Sequence, residues 1–191
     1  MKFLKKLVLG IFLIVVIAAA VGFFLPTEYK VSRSSEVNAP KAEIFAVLSD
    51  LKTWPEWTAW TKERYPDIEY KFGEQTVGKG ANYSWTGDKP NMSGDGGAGN
   101  GKMEITEADL ESGTLKFKID FEGYQPMYGT FKITEKDGKS NVEWIAEGDM
   151  GMPVVGGYFV LAMDGAMGKE FEEGLKKLKE RCEKKAGAGD A

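Results

Sequence analysis

The first 25 residues open with Lys2, Lys5 and Lys6 and then run without a charged side chain from Leu7 to Leu25. A helix over that run rises about 1.5 Å per residue and covers roughly 28 Å, close to the hydrocarbon thickness of a bilayer. All its faces are apolar, which argues against a buried amphipathic core helix. The basic start would stay in the cytoplasm by the positive-inside bias, so the chain after Pro26 is expected on the extracytoplasmic side of the inner membrane as a single-pass protein. A cleavable secretory signal is the competing reading, because Ala18, Ala19 and Ala20 supply small residues. The apolar run continues past them through Val21, Phe23, Phe24 and Leu25, longer than the apolar region of a signal (about 7 to 15 residues), and this favours an uncleaved anchor.

Beyond the anchor the pattern changes to period two. Tyr29, Val31 and Val37 alternate over residues 27–38, predicting a strand, and Ala39-Pro40 opens a short helix from Lys41 to about Leu48 with Ile44, Phe45, Val47 and Leu48 turned to a core. Trp54, Trp57 and Trp60 then fall in a turn-rich helical stretch. Alternation returns at Ile68, Tyr70 and Phe72, and at Ala81, Tyr83 and Trp85, predicting two strands. Further strands follow at Met103 and Ile105, at Leu115 to Phe121, at Phe131 and Ile133, and at Val142, Trp144 and Ala146. Turns at residues 111–113 and 136–138 join them into an antiparallel meander. The glycine-rich stretch 87–101 predicts a long mobile connection. A final amphipathic helix carries Phe159, Met163, Met167, Phe171, Leu175, Leu178 and Cys182 on one face and lysines and glutamates on the other. The expected organisation is a cytoplasmic start and transmembrane anchor (1–26), one globular domain (27–185) and a disordered tail (186–191).

Charge and composition narrow the function classes. The chain has 25 Lys+Arg against 29 Asp+Glu, and the balance is more negative still without the anchor lysines, so phosphate-neutralising binding of nucleic acid is disfavoured. Cys182 is the only cysteine, which removes any internal disulfide and any multi-thiolate metal site. Histidine is absent, and with it the side chain best suited to proton transfer near neutral pH, to triads and to zinc. The motif G-x-G-x-x-G over residues 94–99 lies between strands rather than between a strand and a helix, which argues against a dinucleotide site. Asp88 and Asp95 among those glycines are too few carboxylates for a calcium loop. No metal or other cofactor is expected.

Several short motifs in order resemble one family. Val37-Asn38-Ala39-Pro40 leading to Ile44-Phe45 and Leu48-Ser49-Asp50, then Trp54 and Trp57, looks like the opening signature of the polyketide cyclase/dehydrase and lipid transport family of the SRPBCC superfamily. Gly78-Lys79-Gly80, Tyr83-Ser84-Trp85, Gly101-Lys102-Met103-Glu104-Ile105 and Val142-Glu143-Trp144 fit its strands. Phe171-Glu172-Glu173-Gly174-Leu175 fits its last helix. The resemblance implies an α+β START-like helix-grip fold, a curved antiparallel sheet wrapped around the long C-terminal helix. It also implies a cavity between them for a hydrophobic small molecule, lipid-like, quinone-like or polyketide-like.

The residues expected to line that cavity are Tyr83, Trp85, Phe117, Ile119, Phe121, Phe131 and Trp144 on the strands. On the helix they are Phe159, Met163 and Met167, whose flexible thioethers suit varied partners. Core packing is the alternative for each. Trp54, Trp57 and Trp60 form either a mouth at the membrane or a wedge holding the short helices on the sheet. Residues 151–157 form either a gating loop or a plain connection. Glu104, Asp120, Glu143 and Glu147 are the acids available to an enzyme, with Tyr83 or Tyr128 as a donor, but strand alternation turns these acids mostly toward solvent, so no catalytic set is proposed. The expected activity is membrane-anchored binding or transport of a hydrophobic molecule. A cyclase/dehydratase-type enzyme and a protein-interaction module whose pocket is filled by Trp85, Trp144 and Met163 are the alternatives.

Overall fold

The structure is a computed structural model, and it describes residues 2–89 and 96–188. Helix α1 (Lys2–Phe24) is the uncharged apolar run with its lysine start, and its side chains are almost all exposed. Within Phe3–Phe24 an 18-residue window has a mean hydropathy of 3.0, and the stretch is long and apolar enough to cross a membrane. Pro26 ends the helix, because the residue before a proline is pushed out of the helical region.

Strand β1 (Glu28–Val37) follows, then α2 (Lys41–Ser49), a single 3-10 turn (Leu51–Thr53) and α3 (Trp54–Trp57). Six strands come next, β2 (Glu69–Phe72), β3 (Asn82–Thr86), β4 (Gly101–Asp109), β5 (Thr114–Phe121), β6 (Met127–Lys136) and β7 (Lys139–Asp149). Helix α4 (Gly156–Ala188) closes the chain. The seven strands form one antiparallel sheet in the order β1-β7-β6-β5-β4-β3-β2. Hairpin turns account for the meander, with Gly113 at φ +71°, Asp137 at φ +53° and Gly138 at φ +74°. The pairing of β1 with β7, from Glu28 opposite Asp149 to Val37 opposite Ser140, is a contact between chain ends that periodicity does not encode.

The helix-grip arrangement expected from the resemblance is present, with one face of the sheet packed against α4. The final helix runs through Ala188, three residues past the expected end of the domain, and residues 189–191 lie outside the described residues. So do residues 90–95 of the glycine-rich connection, including Gly94 and Asp95. The described ends of that connection are hydrogen-bonded rather than loose: Gly99 N–H donates to the Asp88 carbonyl at 2.9 Å, and Trp85 Nε1 donates to the Ala98 carbonyl at 3.3 Å.

Two ends of the sheet differ in how they are filled. At the end carrying the β6–β7 turn, Trp54 and Trp57 lie between sheet and α4, with 2% and 1% of their surface exposed. Trp54 sits edge-on to Phe117 (5.0 Å between ring centroids) and Phe131 (5.9 Å), and Trp57 edge-on to Trp144 (5.9 Å). Their indole N–H groups donate to the Leu48 carbonyl and to Thr53 Oγ1, so the polar atoms are satisfied inside the wedge. At the other end, where β1 leaves α1 and β7 ends, no short helix among the described residues fills the space.

Candidate functional site

That unfilled end is a cavity of about 320 Å³ between sheet and α4. Phe121, Met127 and Trp144 line it from the sheet, Met163, Met167 and Phe171 from α4, and Trp60 and Tyr65 from the segment after α3. Tyr29 at the start of β1, Tyr124 and Gln125 between β5 and β6, and Asp149 and Met150 at the end of β7 line it at the end of the sheet from which α1 departs, and Arg64 with Glu170 of α4 lines its flank. The opening at the exposed Tyr124, Gln125 and Asp149 and the apolar N-terminal helix are therefore on the same side of the domain.

Four of the ten residues singled out from the sequence, Phe121, Trp144, Met163 and Met167, line this space. The others are elsewhere. Phe117 and Phe131 stack on each other at 5.6 Å under the tryptophan wedge and are 1% and 0% exposed. Ile119 is buried in the core, Trp85 packs behind Trp60 and Phe121, and Tyr83 packs against Tyr70 and Phe72 near the β2 edge. These five share the inward face by strand alternation, but alternation does not say which part of that face meets the wedge and which meets open space. Phe159 continues the apolar stripe of α4, yet it is 48% exposed. The first turn of α4 lies beside Leu25, Pro26 and Thr27, before β1 begins, so there is no sheet under it. Trp60 separates from the other two tryptophans: its ring lines the cavity, 5.8 Å from Phe121.

The lining residues the sequence did not single out include Tyr29, Tyr65, Arg64, Met127, Glu170, Phe171 and the loops after β5 and β7. Tyr29 was visible as a strand residue, but its place at the mouth follows from its pairing with Gly148. Met127 sits opposite the same Gly148, and neither partner is readable from local pattern.

Polar groups around the cavity are few and mostly committed. Arg64 pairs with Glu170. Asp149 accepts from the Gly151 backbone N–H at 2.7 Å, and this bond with one from the Thr27 hydroxyl holds its carboxyl below the usual carboxylate range. Burial pushes the Tyr29 phenol up and desolvation does the same more strongly for Tyr70 and Tyr83, so these phenols stay protonated. The Trp144 indole N–H is buried with no hydrogen-bond partner among the described residues, an unusual state for a buried donor. Glu104, Asp120 and Glu147 are exposed on the outer face and Glu143 is half-buried there.

Two contacts help to fix the middle of α4 over the sheet, in addition to its buried Leu175, Leu178 and Cys182. The Trp144 and Phe171 rings stack at 4.2 Å and 8°. Beside them Arg33 of β1 reaches across, its Nε donating to Glu172 Oε1 at 2.7 Å and its Nη1 to Asp164 Oδ1 at 2.9 Å. The guanidinium passes over Gly168, where a Cβ would lie 2.0 Å from Nη2, so a larger residue there would push the Arg33 side chain aside.

The sequence profile of polyketide cyclase/dehydrase and lipid transport proteins matches residues 28–183, the whole of this sheet and nearly all of α4. The chain belongs to that family. No curated protein matches it in sequence. Among solved structures it is similar to a START superfamily protein from Mycobacterium smegmatis, with a TM-score of 0.55 at 15% identity over 82% of this chain and 98% of the other. It is also similar to the di-domain ARO/CYC StfQ from the steffimycin biosynthetic pathway, with a TM-score of 0.61 at 13% identity over 84% of this chain and 52% of that one. Truncated norcoclaurine synthase from Thalictrum flavum gives 0.53 at 16% identity, over 78% and 92%. At such identities these likenesses establish the fold. The family suggests binding of hydrophobic small molecules, and the apolar lining of the cavity is consistent with it.

Proposed function

We propose that this family member is a membrane-tethered binding protein that takes a hydrophobic molecule into the cavity between sheet and α4. The observation that carries the reading is the open apolar space at the α1 end of the domain, walled by Phe121, Trp144, Met163 and Met167. Its volume is at the small end of ligand pockets, suiting one small apolar molecule or one end of a lipid. Removing ~200 Å² of apolar ligand surface from water would supply about 5 kcal/mol before ordering costs. An oxygen acceptor on the ligand would also satisfy the Trp144 N–H if it reached it.

Helix α1 acts in this reading as an uncleaved anchor with the domain outside the cytoplasmic membrane. Only Leu25, Pro26 and Thr27 separate α1 from β1, so the mouth is held at the bilayer and the ligand passes between membrane and pocket with little exposure to water. A carrier is favoured over an acid–base enzyme because both carboxylates at the cavity are engaged, Glu170 by Arg64 and Asp149 by Gly151. It is favoured over an interaction module because the space is open and Trp85 lies outside it.

A photoactivatable fatty acid incorporated into vesicles with the full-length protein tests this. Adducts on Met163, Met167 or Phe121 are expected after irradiation. Adducts confined to α1 would refute ligand entry.

A further inference from the structure

Helix α1 carries a second element with it. The backbone turn before α4 packs against the last two turns of α1, where the Val154 carbonyl lies so close to Gly22 that a Cβ there would be 2.1 Å away. The Tyr158 hydroxyl donates to the Ala18 carbonyl at 2.7 Å, and Gly157 touches Leu25. These contacts set a level. Ala18 lies six residues before the end of α1, or about 9 Å down its axis, so Val154, Val155 and the Tyr158 side chain are beside residues inside the apolar span rather than beyond it.

The composition of this element agrees with that level. Residues 150–163 contain no charged side chain, and Val155, Phe159 and Leu161 expose 48%, 48% and 71% of their surface. Large apolar side chains so exposed within one short uncharged segment are unexpected against water. The nearest charges on either side, Asp149 and Asp164, belong to the folded domain above it, Asp164 in its pair with Arg33. The turn itself is held in an uncommon form: Val155 N–H donates to the Pro153 carbonyl at 2.7 Å around Val154 at φ +69°. A γ-turn of that hand is rare and strained, and more so on a β-branched residue.

We propose that the 150–163 segment is a second membrane element, a wedge formed by the turn before α4 and the first turns of α4 that sinks into the outer leaflet beside α1. The occupant of this exposed face is the lipid bilayer. Apolar faces at membrane interfaces bury to about 5–10 Å, matching the depth set by Ala18. Met150 and Met163, at the two ends of the segment, also line the cavity, so the wedge places the pocket mouth against acyl chains and fixes the orientation of the domain, which a single tether would leave free. The inference rests on α1 being an anchor.

The test uses the full-length protein in phosphatidylcholine vesicles with an environment-sensitive NBD fluorophore on one introduced cysteine. The positions are Val155→Cys and Phe159→Cys in the wedge, Ile14→Cys in α1 and Lys136→Cys at the far turn of the sheet; native Cys182 is buried, and unsubstituted protein controls for its labelling. Lipids bearing a nitroxide on the acyl chain are expected to quench emission from positions 14, 155 and 159 and to spare position 136. Quenching at 14 with 155 and 159 behaving like 136 overturns the wedge and leaves the anchor standing. No quenching at 14 overturns the anchor, and the wedge with it.

Discussion

The ring of Phe171 lies flat on that of Trp144, 4.2 Å apart and 8° from parallel, and this stack divides the packed part of the domain from the open part. On one side are Trp57 and Phe131, on the other the cavity walls Met163 and Met167. Phe171→Ala would uncover one face of Trp144 and leave a void where 4% of the side chain is now exposed. A loss of about 3 to 5 kcal/mol is expected, read as a lower urea midpoint for the full-length protein in detergent. An unchanged midpoint would mean that the stack does not hold α4 to the sheet.

Arg33 gives the attachment of α4 an acid-sensitive part. Its hydrogen bond and charge hold the Asp164 carboxyl below the usual carboxylate range. A carboxyl whose folded pKa is depressed contributes stability in full well above its unfolded pKa, about 3.9 for aspartate, and loses it as pH falls through the folded value. The melting temperature should therefore fall more steeply between about pH 5 and pH 3 in the wild type than in Asp164→Asn. Parallel curves would remove Asp164 from the acid response.

Gly22 sets how closely α1 and the turn before α4 approach. Gly22→Leu should force the Val154 carbonyl away and break the bond between Tyr158 and Ala18, freeing the turn while leaving the sheet intact. Amide hydrogen exchange reads this directly: the N–H groups of Val155, Gly156 and Tyr158, bonded to Pro153, Met152 and Val155, should exchange faster, with β5 and β6 unchanged. Equal exchange in both proteins would show that the turn is held without α1.

How far the sequence discloses this arrangement depends on the range of each contact. The strands and the last helix are legible from period two or period 3.6, since Tyr83 and Trp85, or Phe171 and Leu175, need only their neighbours to show a face, and α1 is legible from its unbroken apolar run. The family motifs supply the grip of sheet on helix. What local pattern omits is the division of one apolar face into core and cavity. Phe117 and Phe121 are equivalent by alternation, yet the first meets Trp54 at 5.0 Å and the second reaches the open space. That difference is made by a wedge some sixty residues away in the chain. Phe159 fails similarly: its place in the helical stripe is right, but the sheet ends before reaching it.

The central claim is that the cavity holds a hydrophobic molecule, and the most direct measurement is mass spectrometry of small molecules extracted from full-length protein beside its Phe121→Lys/Met163→Glu variant, both purified in the same detergent. Lipid carried by α1 and the micelle is common to both and cancels. The account predicts an apolar compound in near-stoichiometric amount in the wild type and its loss from a folded variant. Identical extracts from the two proteins would contradict it.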